Sequence, residues 1–177
     1  MLKQIILSSL LGFNFIYANN YENFNSEIIK LNKEKKLKEK NKIKHRLIDM
    51  VDFKLMGKLS IGKEIWLKLN KKEKEDYLLN FENMVRFNYI KYITEITNIN
   101  IKEVKRNKTK YLIRIQANNH KIKVYAYEKG DLFKIYNIEI DGVNLIKMLG
   151  GNYRAQYQIE GMEGILKQLK ETNKKKN

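Results

Sequence analysis

The chain has 177 residues, no cysteine, no proline and a formal net charge of +16 at pH 7. The lack of cysteine predicts that the protein has no disulfide bonds and no lipid anchor on an N-terminal cysteine. The charge does not indicate nucleic-acid binding, because the lysines are scattered among glutamates in stretches such as KLNKEKKLKEKNKIKHR, as on solvated helix surfaces. An anionic lipid surface or an acidic protein stays open as a partner.

The first 18 residues are predicted to be a secretory signal peptide. They contain one lysine, Lys3, then an apolar run, then a small residue, Ala18, which is the usual order in such signals. The run is shorter than the about 20 apolar residues that span a bilayer, and a buried N-terminal helix is the alternative interpretation. We expect an exported, soluble protein with one domain over residues 19–172 and a basic, disordered tail over residues 173–177.

The residues between Tyr21 and Thr97 are predicted to form helices. An amphipathic segment covers residues 31–50, where a few apolar side chains lie in a lysine-rich background. Asn70 is followed three residues later by Glu73, which predicts a capping box and the start of a long helix.

The long helix has apolar side chains on two sides. One side carries Leu78, Phe81, Val85, Tyr89, Tyr92 and Ile96, and the opposite side carries Leu79, Phe87, Ile90 and Ile93. Burial on both sides is therefore expected. Either neighbouring helices surround this helix, or one of its sides lines a cavity.

From Ile99 onward the apolar residues alternate with polar ones. Four such segments, INIKEVK, TKYLIRIQA, HKIKVYAYE and LFKIYNIEI, are separated by short turn-forming stretches. They predict a four-stranded antiparallel meander with one apolar face, which the preceding helices must cover. The stretch GMEGILKQLKE predicts a C-terminal helix. The fold class is therefore α+β.

Candidate groups for chemistry are few. His45 and His120 lie in no spacing typical of a metal site. Glu139 and Asp141 fall on one face of a strand and could act as an acid and base pair, but their place at a turn favours a solvated role. The stretch GGNYR lacks the residues of a nucleotide-binding loop. We predict no metal site and no catalytic residue.

Three C-terminal motifs resemble one known family. The stretches FKIYNIEIDGVNLI, NYRAQY and GMEGIL are similar to the C-terminal pattern of the MlaC family of periplasmic phospholipid-shuttle proteins, also called toluene-tolerance proteins. The stretch VDFKLMGKLSIGKEIW agrees more loosely with the N-terminal half of the family. One departure is KMLGG, residues 147–151, which adds about a turn. We expect Gly142 to form the preceding turn, and Gly150 and Gly151 to form a flexible joint.

The resemblance implies a soluble lipid carrier in the periplasm, not an enzyme. Family members hold a glycerophospholipid as cargo in an apolar cavity between sheet and helices, and need no cofactor. They pass it between an outer-membrane lipoprotein complex and an inner-membrane ABC transporter with an MCE-domain protein. We further expect a monomer. The alternatives are a small α+β enzyme that uses Asp141 or a histidine, and an adaptor protein of the cell envelope with a solid core.

On this resemblance, apolar residues from both halves of the chain are predicted to line the lipid cavity. They are Phe53, Met56, Leu59, Phe81, Val85, Tyr89, Ile113, Ile115, Ile122, Val124 and Tyr136. Arg154, in the NYR motif, is predicted to contact the lipid head group or a protein partner, with a structural salt bridge as the alternative.

Overall fold

The computed structural model describes residues 21–90 and 97–174, with only the backbone given for Tyr89 and Ile90. The predicted signal peptide, the end of the predicted tail, and Tyr92, Ile93 and Ile96 of the predicted long helix therefore lie outside the described residues. In the described part, helices precede and follow an antiparallel sheet. This confirms the α+β class.

Six helices occur in the described residues. They are α1 (21–33), α2 (Leu37–Asp49), α3 (Phe53–Ile61), α4 (Lys63–Lys68), α5 (Lys71–Val85, continued by a π-helical turn over Arg86–Ile90) and α6 (Leu145–Lys174). The predicted capping box begins α5, because the Asn70 side chain accepts from the Glu73 backbone N–H and the Glu73 carboxylate accepts from the Asn70 N–H.

Five strands form one sheet, in which every neighbouring pair is antiparallel. They are β1 (Ile99–Asn107), β2 (Lys110–Ala117), β3 (His120–Lys129), β4 (Leu132–Ile140) and β5 (Val143–Asn144), in that order across the sheet. The four predicted strands are present as a meander. The two-residue β5 was not predicted, because two residues are too few to show an alternating pattern.

Short turns join the strands. Asn118, between β2 and β3, has a positive φ of 50°, a conformation that asparagine tolerates better than most residues. Gly142, between β4 and β5, has a φ of 87°, which confirms the predicted turn. A bulge makes Tyr136 an extra residue of β4, since Ile135 pairs with Ala126 whereas Asn137 pairs with Tyr125.

The buried side chains form two clusters. The sheet core lies between the inner face of the sheet and helices α1 and α2. The helical core lies among α3, α4, α5 and α6. The expectation that helices preceding the sheet cover its apolar face is thus confirmed, but the covering helices are α1 and α2.

Helix α5 is buried on one side. Tyr77, Phe81 and Val85 belong to the helical core, where α5 packs mainly against α3 and α6. On the opposite side Leu79 is 62% exposed and Phe87 58% exposed. The expected burial on two sides is wrong for these described residues, since periodicity shows which positions are apolar but not whether a neighbour covers them.

Helix α6 runs without interruption through Gly150 and Gly151 and breaks at Gly161, where φ is 64°. The expected flexible joint at the glycine pair is therefore wrong. Gly150 is buried, and a Cβ there would lie 2.5 Å from the Ser60 carbonyl oxygen of α3. The glycine lets the two helices approach closely.

A hydroxyl pair lies buried beside this crossing. The Tyr77 hydroxyl is 2.9 Å from Ser60 Oγ, and both hydroxyls lie within hydrogen-bond distance of the Gly57 carbonyl oxygen. Burial raises the pKa of Tyr77 well above its usual range, although the hydrogen bond with Ser60 lowers it in part. The hydroxyls of Tyr77 and Ser60 are thus satisfied internally.

Candidate functional site

An apolar cavity of about 80 Å³ lies in the sheet core, between α1, α2 and the inner face of the sheet. Its thirteen lining residues are Phe24, Ile28, Leu47, Ile48, Val51, Ile99, Ile115, Ala117, Ile122, Val124, Ile135, Ile138 and Ile140. All thirteen side chains are apolar. The cavity therefore offers contacts to hydrocarbon and no group for acid, base or nucleophilic chemistry.

Aromatic side chains close one end of the cavity. The Phe24 and Phe133 rings lie 5.4 Å apart, and Tyr21 stacks on Tyr111 at 5.9 Å between ring centroids. The Tyr111 hydroxyl donates to Glu128, a buried carboxylate. Burial and this acceptor raise the pKa of Tyr111 above its usual range. Packed aromatic rings therefore close this end of the cavity, and the Tyr111 hydroxyl there has its hydrogen-bond partner.

The other end of the cavity, near Ala117 and Ile99, adjoins a polar cleft of about 300 Å³. The cleft is lined by Leu31, Asn32, Leu37, Lys40, Lys44, Thr97 and Asn98. The Asn32 side chain accepts from the Ile99 backbone N–H and donates to the Ile99 carbonyl oxygen, as a neighbouring strand would. This contact joins α1 to the edge of the sheet.

Helices α1 and α2 form an antiparallel hairpin, called here the α1–α2 hairpin, with a turn at residues 34–36. The largely buried Glu27 of α1 accepts hydrogen bonds from Arg46 of α2 and from Lys30. Burial of Glu27 opposes its charged form, but these two donors outweigh burial and hold the pKa of the carboxyl below its usual range. One carboxylate thus links the two helices of the hairpin.

Replacing Glu27 with glutamine is expected to lower the free energy of unfolding at neutral pH by about 1 kcal/mol, between the values of exposed and buried ion pairs. Because the pKa of Glu27 is lowered by folding, its contribution is present above the ordinary glutamate pKa and is lost as the pH falls from about 4. Urea unfolding of both proteins at neutral and acidic pH measures this. Glu39→Gln, which removes an exposed pair with Lys42, is the control. A pH-independent difference for Glu27→Gln would contradict the assignment.

Comparisons with known proteins bear on what this cavity is for. A family model described as MlaC protein matches residues 17–171. The chain belongs to the MlaC family. The resemblance drawn from the NYRAQY and GMEGIL motifs is thereby confirmed.

A solved structure has the same fold as this MlaC-family chain. It is a phospholipid-binding protein from Ralstonia solanacearum in complex with a phospholipid, with a TM-score of 0.67 and 16% sequence identity. The match covers 86% of this chain and 93% of that chain. No curated protein gives a significant match.

Two further properties of this MlaC-family chain concern the described residues alone. None of the helices found there combines the length and apolar character needed to cross a membrane. In the same residues, no group of three or more histidine, aspartate or glutamate side chains is placed to hold a metal ion.

Most of the predicted site residues of this MlaC-family chain lie either in the sheet core or in the helical core. Ile115, Ile122 and Val124 line the cavity, and Ile113 is buried beside them in the sheet core. Phe53, Met56, Phe81 and Val85 belong to the helical core. Leu59 is 43% exposed, and the side chain of Tyr89 lies outside the described residues. The structure therefore places the predicted strand residues at or beside the cavity and the predicted helix residues away from it.

Tyr136 and Arg154 both lie away from the cavity. The Tyr136 ring contacts Tyr125 and Tyr127 on the outer face of the sheet. The Tyr127 hydroxyl donates to the Asp52 carboxylate. Burial of Tyr127, and to a lesser extent this hydrogen bond, raises the pKa of Tyr127 to about 12. Arg154 is exposed on α6, with its guanidinium beside Gly150. Neither residue is among those lining the cavity.

The candidate chemical groups have separate partners. The Asp141 carboxylate is 2.7 Å from His120 Nδ1 and accepts from the Lys121 backbone N–H. The hydrogen bond with His120 lowers the pKa of Asp141 the most, the bond from the Lys121 N–H lowers it further, and burial opposes both. Glu139 instead accepts from Lys123 and Tyr125. The two carboxylates therefore do not form an acid and base pair.

The cavity-lining residues that the sequence prediction missed come from both the α1–α2 hairpin and the sheet. Phe24, Ile28 and Leu31 are spaced by four and three residues, and this helical spacing was the available signal. Ile138 and Ile140 reach the inner face because the bulge at Tyr136 shifts the alternation by one residue. A bulge leaves no clear signal in a single sequence.

Proposed function

We propose that this MlaC-family chain binds a glycerophospholipid as cargo, with acyl carbon in the cavity beneath the α1–α2 hairpin. The observation that carries the proposal is the lining of the cavity, which consists of apolar side chains alone. Burial of acyl carbon contributes about 0.8 kcal/mol for each CH₂ group. A few methylenes therefore supply useful affinity without any polar contact.

The cavity volume requires that the protein open to load its cargo. Its about 80 Å³ is below the range of roughly 300 to 1,000 Å³ that is typical of ligand pockets. The sheet is held by long antiparallel ladders. In the described residues, hydrogen bonds join the α1–α2 hairpin to the sheet mainly at its two ends, through the Asn32 side chain on Ile99 and, just after α2, through the backbone of Met50 and Asp52 on Ile135. The hairpin is therefore the element expected to move away from the sheet when lipid enters.

The proposed role is that of a periplasmic shuttle. As in the family pattern, the chain would be exported, with its predicted signal peptide removed, and would act as one lipid-binding domain over residues 19–172. It would pass phospholipid between an outer-membrane lipoprotein complex and an inner-membrane ABC transporter with an MCE-domain protein. Membership in the MlaC family over residues 17–171 supports this role. The proposal assigns no catalytic step and no resident cofactor.

Native mass spectrometry of the protein purified from periplasm tests the proposal. We expect a population carrying one phospholipid, and the intact mass of the chain also measures whether the first 18 residues have been removed. Incubation of delipidated protein with vesicles should restore the bound form. Failure both to retain phospholipid and to take it up from vesicles would overturn the proposed function.

The small cavity favours one alternative, an adaptor protein of the cell envelope that binds other proteins and carries no lipid. A closed sheet core would serve such a protein as packing alone. The two functions differ in the uptake experiment, because an adaptor is not expected to extract lipid from vesicles under any condition. Uptake with one lipid for each chain would exclude the adaptor interpretation.

A further inference from the structure

Positive charge is concentrated at the end of the α1–α2 hairpin. Residues 33–44, called here the basic tip, contain seven lysines and two glutamates and have a net charge of +5, out of +16 for the whole chain. Within the described residues, Lys42 pairs with Glu39, whereas Lys33, Lys35 and Lys38 are exposed and form no salt bridge. The basic tip therefore projects uncompensated charge into solvent.

The start of α2 is rich in lysine for a helix N-terminus, although Glu39 lies in its first turn and Glu34 accepts from the Lys35 and Lys36 backbone N–H groups. Its N-cap is Lys36, which makes no capping hydrogen bond through its side chain, and Lys38 and Lys40 follow closely. Because the N-terminal end of a helix carries partial positive charge, cations there are unfavourable. An anionic surface beside the basic tip would relieve this repulsion.

An apolar side chain lies among these lysines. Leu37 is the first residue of α2 and is 70% exposed, between Lys36 and Lys38. An exposed apolar side chain surrounded by lysines suits the boundary between lipid head groups and acyl chains, where both kinds of group find favourable contacts.

The basic tip is also continuous with the cavity. Leu37 and Lys40 line the polar cleft, and Leu31 and Asn32 join the cleft to the cavity end near Ile99. A lipid that leaves a bilayer at the tip would therefore pass along the cleft to reach the apolar cavity.

We infer that the basic tip docks on the surface of an anionic phospholipid bilayer, with Leu37 in the head-group region and the cleft facing the membrane. The lysines supply long-range attraction to anionic head groups, which falls steeply with salt. Leu37 adds a short-range apolar contact. Docking of the tip does not depend on cargo being bound in the cavity.

Vesicle co-sedimentation of the exported, purified protein tests this inference. The vesicles contain phosphatidylcholine alone or with roughly one third phosphatidylglycerol, at low and at high salt. We expect binding to the anionic vesicles at low salt and little to the neutral ones. The triple variant Lys35→Glu, Lys36→Glu, Lys38→Glu is expected to lose on the order of a hundredfold in partition coefficient. Its glutamates at a helix N-terminus are favourable, so the variant is expected to fold.

Matched variants separate the tip from net charge. Lys68→Glu, Lys167→Glu, Lys170→Glu changes the charge equally at exposed positions of α4 and α6 and should bind nearly as the wild type does. Likewise, Leu37→Asn should weaken binding severalfold, whereas Leu67→Asn, at a leucine 67% exposed on α4, should not. Equal loss in the two triple variants would overturn the inference, and so would failure of the wild type to bind anionic vesicles, which would favour an acidic protein partner.

Discussion

Replacing Ala117 with leucine is expected to abolish phospholipid uptake while the protein stays folded. Ala117 is fully buried and lines the cavity at the end of β2 nearest the polar cleft. The added carbon atoms would fill a space of about 80 Å³ that acyl carbon must enter. Filling an apolar cavity usually costs little stability and often increases it, so we expect a loss of uptake of more than tenfold with little change in melting temperature.

Uptake of a fluorescent phospholipid from vesicles, together with thermal unfolding, measures both expectations. Ala155→Leu makes the same chemical change at an exposed position of α6 and should leave uptake unchanged. Ala117→Val adds less volume and should give an intermediate loss, which distinguishes filling of the cavity from general unfolding. Normal uptake by a folded Ala117→Leu protein would show that the lipid binds elsewhere.

The strand part of the candidate site was accessible from sequence. Alternation over β2 and β3 placed Ile115, Ile122 and Val124 on one buried face, and all three line the cavity. Strand alternation is a local property, because successive side chains of a strand point to opposite faces. The interruption of the alternation at Tyr136 depends on pairing with β3, which is not local.

The helix part of the candidate site was not accessible in the same way. Helical spacing in α5 correctly predicted that Phe81 and Val85 are buried. The same spacing of apolar residues arises whether a helix packs against other helices or against a sheet, so the sequence did not show that α5 packs against α3 and α6. Helix α1, whose Phe24 and Ile28 line the cavity, leads directly into the lysine-rich stretch of residues 30–46, and its short apolar pattern does not show which surface it covers. Tertiary packing decides which helices cover the sheet, and the apolar pattern of each helix alone does not show it.

The two neighbouring glycines of α6 provide the last prediction, because sequence gives them the same role and the structure does not. A Cβ at Gly150 would lie 2.5 Å from a backbone oxygen of Ser60, whereas a Cβ at Gly151 would meet nothing within 4 Å. Alanine favours helix by about 1 kcal/mol over glycine. This gain stands alone at Gly151, but at Gly150 it is opposed by overpacking that typically costs about 1 to 3 kcal/mol or more.

We therefore expect opposite effects from the same substitution at adjacent positions. Gly151→Ala should raise the free energy of unfolding by about 0.5 to 1 kcal/mol, and Gly150→Ala should lower it by about 2 kcal/mol, because backbone atoms of two packed helices must separate. Urea unfolding at constant pH measures both changes. If Gly150→Ala proved as stabilising as Gly151→Ala, the close approach of α3 and α6 would be refuted, and the glycine pair would act only through helix propensity.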